Sequence, residues 1–100
     1  MKDYMDSIIR PDARLSILRA LTEAPEYRLN ESILHRIANA FGLSLARHQV
    51  AAEIEWLRDA GLVKAEKLGD MWVATATSLG LDVAAGRTIR DGVTRPSPKG

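Results

Sequence analysis

Arg47, His48 and Gln49 stand side by side in this chain, and each carries the groups that read a nucleic-acid base edge. An arginine fork donates to both major-groove acceptors of guanine. A glutamine amide pairs with adenine through one donor and one acceptor. Side chains do this work when they occupy the first turns of a helix lying in a major groove. Ser44, three residues earlier, suits the cap of such a helix and a contact to a neighbouring phosphate. Lys64 and Lys67 would add phosphate attraction from a second element. Arg87, Arg90 and Arg95, with Lys99, form the one clearly basic segment, which an arm along phosphates would need. Each feature also has a plainer reading. The trio fits an ordinary solvated or protein-binding face, and lysines on a hairpin keep exposed strands from pairing with other chains. The basic segment also fits a partner-binding or dimer-locking strand through Ile89 and Val93.

Other chemistries find little support. His35 and His48 lie on different predicted helices, and the chain has no cysteine, so neither thiolate nor histidine-cluster metal binding is expected. The serines lack a Gly-x-Ser-x-Gly context, and the glycines are scattered at element ends rather than gathered in a phosphate loop. No enzyme and no cofactor is expected. Trp56 and Trp72 fall within apolar periodicity and read as packing residues rather than stacking platforms.

The elements that must position these residues follow from spacing and caps. Tyr4, Met5, Ile8 and Ile9 make a short amphipathic arm over residues 1–10. Pro11 and Asp12 suit the start of a first helix carrying Leu15, Ile17, Leu18 and Leu21, which Pro25 ends. Tyr27-Arg28-Leu29 reads as a short strand. Asn30 caps a second helix with Ile33, Leu34, Ile37, Ala38 and Phe41 on one face, and Gly42 stops it. Gly42-Leu43-Ser44 then forms a turn, with Ser44 capping a third helix that runs from about Leu45 or Ala46 to Ala60. Val50, Ile54 and Leu57 are its buried line, and Arg47, His48, Arg58 and Asp59 fall away from it.

Leu62–Leu68 and Met71–Thr77 read as a hairpin turning at Gly69-Asp70, which sets Lys67 opposite Trp72, Ala65 opposite Ala74 and Val63 opposite Ala76. Thr77 caps a last short helix closed by Gly86, and residues 87–100 read as a basic extended tail. The domain proper is thus residues 11–86, an α+β, mainly helical winged helix-turn-helix: a three-helix core, a β-hairpin wing and a short C-terminal helix.

Charge argues partly against this reading. Residues 1–86 hold ten Lys/Arg against twelve Asp/Glu, a balance of −2, while residues 87–100 hold four against one, a balance of +3. DNA affinity would therefore rest on local patches. No apolar run approaches the ~18 residues of a membrane span, and a cytoplasmic location with no membrane partner is expected.

From Phe41-Gly42-Leu43-Ser44 through Val50, Leu57, Gly61-Leu62-Val63 and Thr75-x-Thr77-x-x-Gly80, the chain resembles small winged-helix regulators of the MarR and ArsR type. The Asp6-Ser7-Ile8-Ile9-Arg10 start and the Gly92-Val93-Thr94-Arg95-Pro96-Ser97-Pro98 tail resemble the ArsR-like small proteins of Mu-like phages and prophages. The spacing from Ser44 to Gly61 is longer than in those regulators, so either the turn is longer or the helix starts earlier. The cysteines of ArsR metal sensors and the long dimerisation helices of MarR proteins are both missing. The resemblance implies a transcriptional regulator or phage-derived factor that binds double-stranded DNA as a homodimer. The alternative is a non-catalytic protein-interaction module on the same scaffold, with a phage protein as partner in packaging or assembly.

Overall fold

A computed structural model describes residues 2–97, in the order α1 (Arg10–Glu23), β1 (Arg28–Asn30), α2 (Glu31–Ala40), α3 (Arg47–Asp59), β2 (Val63–Leu68), β3 (Met71–Ala76) and α4 (Ser78–Ala85). The fold is α+β, mainly helical, and it is a winged helix-turn-helix. Helix α1 packs against α2, α3, α4 and β3. Ile17, Leu18, Leu21, Leu34, Ile54, Leu57 and Leu62 are at most 1% exposed and form the centre of the core. Truncating any one of the leucines to alanine costs about 2–5 kcal/mol, a large part of a small domain's stability.

Local capping explains most boundaries. The Asn30 side chain accepts from the Ile33 amide at 2.9 Å and opens α2. Thr77 Oγ1 accepts from the Gly80 amide at 3.1 Å and donates to the Gly61 carbonyl at 2.8 Å, joining the start of α4 to the end of α3. Gly80 must be glycine because a Cβ there would collide with the Leu62 carbonyl oxygen. That close approach seats α4 on the start of the hairpin.

The sheet is antiparallel with order β1-β3-β2. Its register places Lys67 opposite Trp72, Ala65 opposite Ala74 and Val63 opposite Ala76, as the hairpin reading expects. Strand β1 adds a third member, with Arg28 opposite Thr75 and Asn30 opposite Val73.

Three expectations change. The segment read as an N-terminal arm is helical and continues directly into α1, through a wide turn over Met5–Ile9. The Arg10 amide reaches back to the Met5 carbonyl, five residues away. Pro11 explains the widening, since a proline inside an ordinary helix clashes with the carbonyl four residues earlier.

Ser44 does not cap the third helix. Its φ is 52°, a left-handed turn conformation, whereas an N-cap needs extended backbone. Ala46, at φ −77° and ψ 161°, holds the cap position. The long spacing from Ser44 to Gly61 therefore reflects a longer turn.

The tail also differs from an extended arm. Residues 87–97 fold back, Val93 is buried, and Thr94 Oγ1 donates to Asp12 Oδ1 at 2.5 Å. The Arg14 guanidinium donates to the Gly92 carbonyl at 2.9 Å. Lys99 and Pro98 lie outside the described residues.

Candidate nucleic-acid interface

The turn before α3 is braced from α2. Asn39 accepts from the Leu45 amide at 2.7 Å through Oδ1, and its Nδ2 donates back to the Leu45 carbonyl at 3.1 Å. His35 Nε2 donates to the same carbonyl at 2.8 Å, which assigns the proton to that nitrogen. One amide side chain thus holds both backbone groups of a buried residue two positions before the helix begins. Gln49 completes the start, accepting from the Ala46 amide at 2.7 Å through Oε1. This is the returning half of a capping box, with alanine where serine or threonine usually stands.

That bond limits Gln49 as a base reader. Pairing with adenine needs its carbonyl oxygen as well as its amide hydrogens, and the oxygen is already engaged. Arg47 is also tethered. Its Nε donates to Glu31 Oε2 at 3.0 Å, while its side chain stays 47% exposed. The terminal nitrogens of the fork are the part left to meet a ligand. His48 is exposed and turns towards the N-terminal helix, lining a recess of about 320 Å³ with Met5, Asp6 and Arg10. The trio therefore points to two sides: Arg47 to the wing, His48 to α1.

Several cations converge on the wing side. Arg58 lies 5.3 Å and Lys67 Nζ 5.4 Å from the centre of the Trp72 ring. Arg47 joins them through Glu31, whose Oε1 accepts from the Trp72 amide at 2.7 Å. Arg58 sits three helical turns after Arg47 and so shares its side of α3. This spacing is visible in the sequence, and Arg58 belongs to the patch although it lies far from the base-reading end of the helix. Asp59 pairs with Arg58 at 3.2 Å, and exposed Glu55 lies on the same helix.

Two acids that weighed against DNA binding are not on the surface. Glu31 and Glu53 are 5% and 3% exposed. Glu53 accepts from Arg14 and Arg10, each at 2.7 Å, and the Glu53 hydrogen bond and charge raise the Arg10 pKa above its ordinary value. The negative balance of the globular part is thus partly internal.

The remaining candidates are spread out. Strand alternation places Lys64 on the face opposite Lys67, in line with Thr75 and Arg28. Arg87 is paired with Asp82 at 2.8 Å beside α4. The Arg90 carbonyl accepts from the Val93 amide in the tail turn. Arg95 borders Arg19, Ala84 and Ala85, on the α1–α4 side of the molecule. Ser44 is exposed in the turn. Among the described residues no three His, Asp or Glu side chains gather as a metal cage, and no helix is long and apolar enough to cross a membrane.

Sequence comparison assigns the lineage. The uncharacterised protein gp26 of Escherichia phage Mu is 41% identical over 95 residues, covering 95% of this chain and 98% of gp26. The chain belongs to the gp26 family. A second relative, an uncharacterised protein of Haemophilus influenzae, is 35% identical over 69 residues, or 69% of this chain and 67% of its own length. The fold of this chain is similar to that of Sco5413, a MarR family transcriptional regulator from Streptomyces coelicolor, at a TM-score of 0.61 and 23% identity. The match covers 83% of this chain but only 58% of the regulator. No protein-family model matches the sequence.

Proposed function

We propose that the chain is a non-enzymatic winged-helix protein that binds double-stranded DNA, a phage- or prophage-derived regulator acting in the cytoplasm as a homodimer. The observation that carries this reading is the placement of Arg58 and Lys67 at the Trp72 ring, with Arg47 linked through Glu31 to the Trp72 amide, which gathers three cationic side chains between α3 and the wing. Helix α3 enters the major groove from its braced start, with the Arg47 fork foremost, His48 on the side towards α1 and Ser44 at the backbone. Lys67 meets phosphate beside it. The likeness to Sco5413 supports the scaffold, and the gp26 relationship supports the phage setting. Tyr4 and Ile8, about half exposed on the helical extension, supply apolar surface for a second copy. A two-fold dimer implies a pseudo-palindromic site.

The test is a salt titration of binding to random duplex DNA, with the solution mass measured alongside. Contacts from three cations per protomer give a slope of log affinity against log salt of about −3 for each protomer. Absence of binding at low salt removes the reading. It would leave a second one, a protein-interaction module in phage packaging or assembly. That reading is favoured by Phe41, 73% exposed at the edge of a groove of about 650 Å³ lined by Ala20, Ile37, Ala84 and Ala85.

A further inference from the structure

We propose that Glu31 is a positioning residue that fixes the Arg47 fork for base reading and locks it to the wing; this inference rests on the DNA-binding reading above. Glu31 is the first residue of α2, where a carboxylate is favoured by the positive end of the helix. It is buried, and its two oxygens have different tasks. Oε1 accepts from the Trp72 amide at 2.7 Å. Strand β1 ends at Asn30, which pairs with Val73, so no β1 residue remains for the next place on β3. The carboxylate takes over that place and completes the edge of the sheet with a side chain.

The other oxygen accepts from Arg47 Nε at 3.0 Å. A guanidinium is planar, so one bond at Nε settles the plane in which the two terminal nitrogens lie. Those nitrogens remain for a ligand, since the side chain is about half exposed. A fork already held in one orientation loses less freedom when it pairs with guanine. The same carboxylate also bonds the β3 backbone, so one residue links Arg47 to the wing. Glu31 touches no base. It acts through Arg47, and its loss affects discrimination between sequences rather than general attraction to DNA.

The experiment uses the full chain. A preferred duplex is selected from a random pool, and affinities for it and for a shuffled duplex are compared. Glu31→Gln keeps an oxygen for the Trp72 amide but loses the charged partner of Arg47. The preferred-to-shuffled ratio is expected to fall roughly tenfold, the scale of one good bidentate base contact, while the salt slope on shuffled DNA is retained. In an Arg47→Ala background, Glu31→Gln is expected to change the ratio no further. An unchanged ratio in folded Glu31→Gln, or an equal fall with Arg47 already removed, overturns the proposal. Should Glu31→Gln not fold, the Arg47 Nε–H signal of the unaltered chain decides by NMR. A resolved signal protected from exchange supports the tether, and one averaged with the exposed arginines overturns it. If the unaltered chain binds no DNA at low salt, the reading itself fails and takes this inference with it. Binding that is indifferent to Glu31 removes the inference alone.

Discussion

Arg14 and Glu53 meet at 2.7 Å in the interior, with side chains only 8% and 4% exposed. The pair links α1 to α3, and its surroundings supply further partners for both charges. The Arg14 guanidinium lies 3.9 Å from the centre of the Trp56 ring and also donates to the Gly92 carbonyl, while Arg10 satisfies the second oxygen of Glu53. Glu53→Gln leaves a buried cation without its counter-charge and is expected to cost about 3 kcal/mol in urea unfolding. Replacing both members, Arg14→Met with Glu53→Leu, is expected to recover most of that loss. Arg10 adds no titration near neutrality. Its folded pKa is raised, chiefly by the Glu53 hydrogen bond, so its contribution is full below the ordinary arginine range and is lost only as pH climbs beyond it.

Gly92 is where the tail meets that network. Its φ is +94°, and a Cβ would stand 2.6 Å from the edge of the Trp56 ring. Gly92→Ala therefore combines backbone strain with a clash and is expected to cost about 2 kcal/mol. Gly42→Ala is the control, because φ there is +88° but the space around it is open. Only the strain of about 1 kcal/mol is expected at that position. Hydrogen exchange over residues 87–97 should accelerate in the first variant alone.

The helix-turn-helix has an equally specific weak point. Asn39→Ala removes both bonds to Leu45, which is only 5% exposed, and strands a buried amide and part of a carbonyl. The expected loss is about 2 kcal/mol. Asn39→Asp retains the acceptor for the amide and should lose less. Exchange of the Leu45 amide reports the effect directly: it should become one of the faster amides of the turn in Asn39→Ala, and an unchanged rate would show that the Asn39 oxygen does not protect it.

These relationships mark the boundary of what sequence pattern discloses. Asn30, Thr77 and the Gly69-Asp70 turn act over three or four residues, and their strand, helix and hairpin assignments could be read directly. Ser44 misled because a capping residue in the right neighbourhood is not a cap unless its backbone is extended, and Ser44 takes a left-handed turn conformation instead. Arg47, His48 and Gln49 could be placed at the start of α3. That Arg47 is tethered by Glu31, and Gln49 by Ala46, depended on where neighbouring chain segments came to rest. Glu53 and Arg14 offered no signal, since a charged residue on a helix reads as solvated until a counter-charge from thirty-nine residues away is seen to cover it. The tail misled for the same reason: a proline- and glycine-containing basic segment reads as extended, yet Val93 is buried with the core, Thr94 bonds Asp12, and Gly92 meets Arg14 and Trp56.

Lys64 and Lys67 are alike in sequence and separated by the pleat. Lys67 shares the helix-side face with Trp72, near Arg58, whereas Lys64 lies on the outer face in line with Thr75 and Arg28. If α3 and the wing grip DNA together, only the helix-side lysine neutralises a phosphate. Lys67→Ala is then expected to make the salt slope of binding shallower by about 1, with a weakening that is uniform across sequences. Lys64→Ala should leave the slope where it is. Equal losses from both lysines would mean that the hairpin tip enters a groove edge-on, with DNA on either side of the sheet. A loss from Lys64 alone would move the interface to the outer face, away from Trp72 and the start of α3.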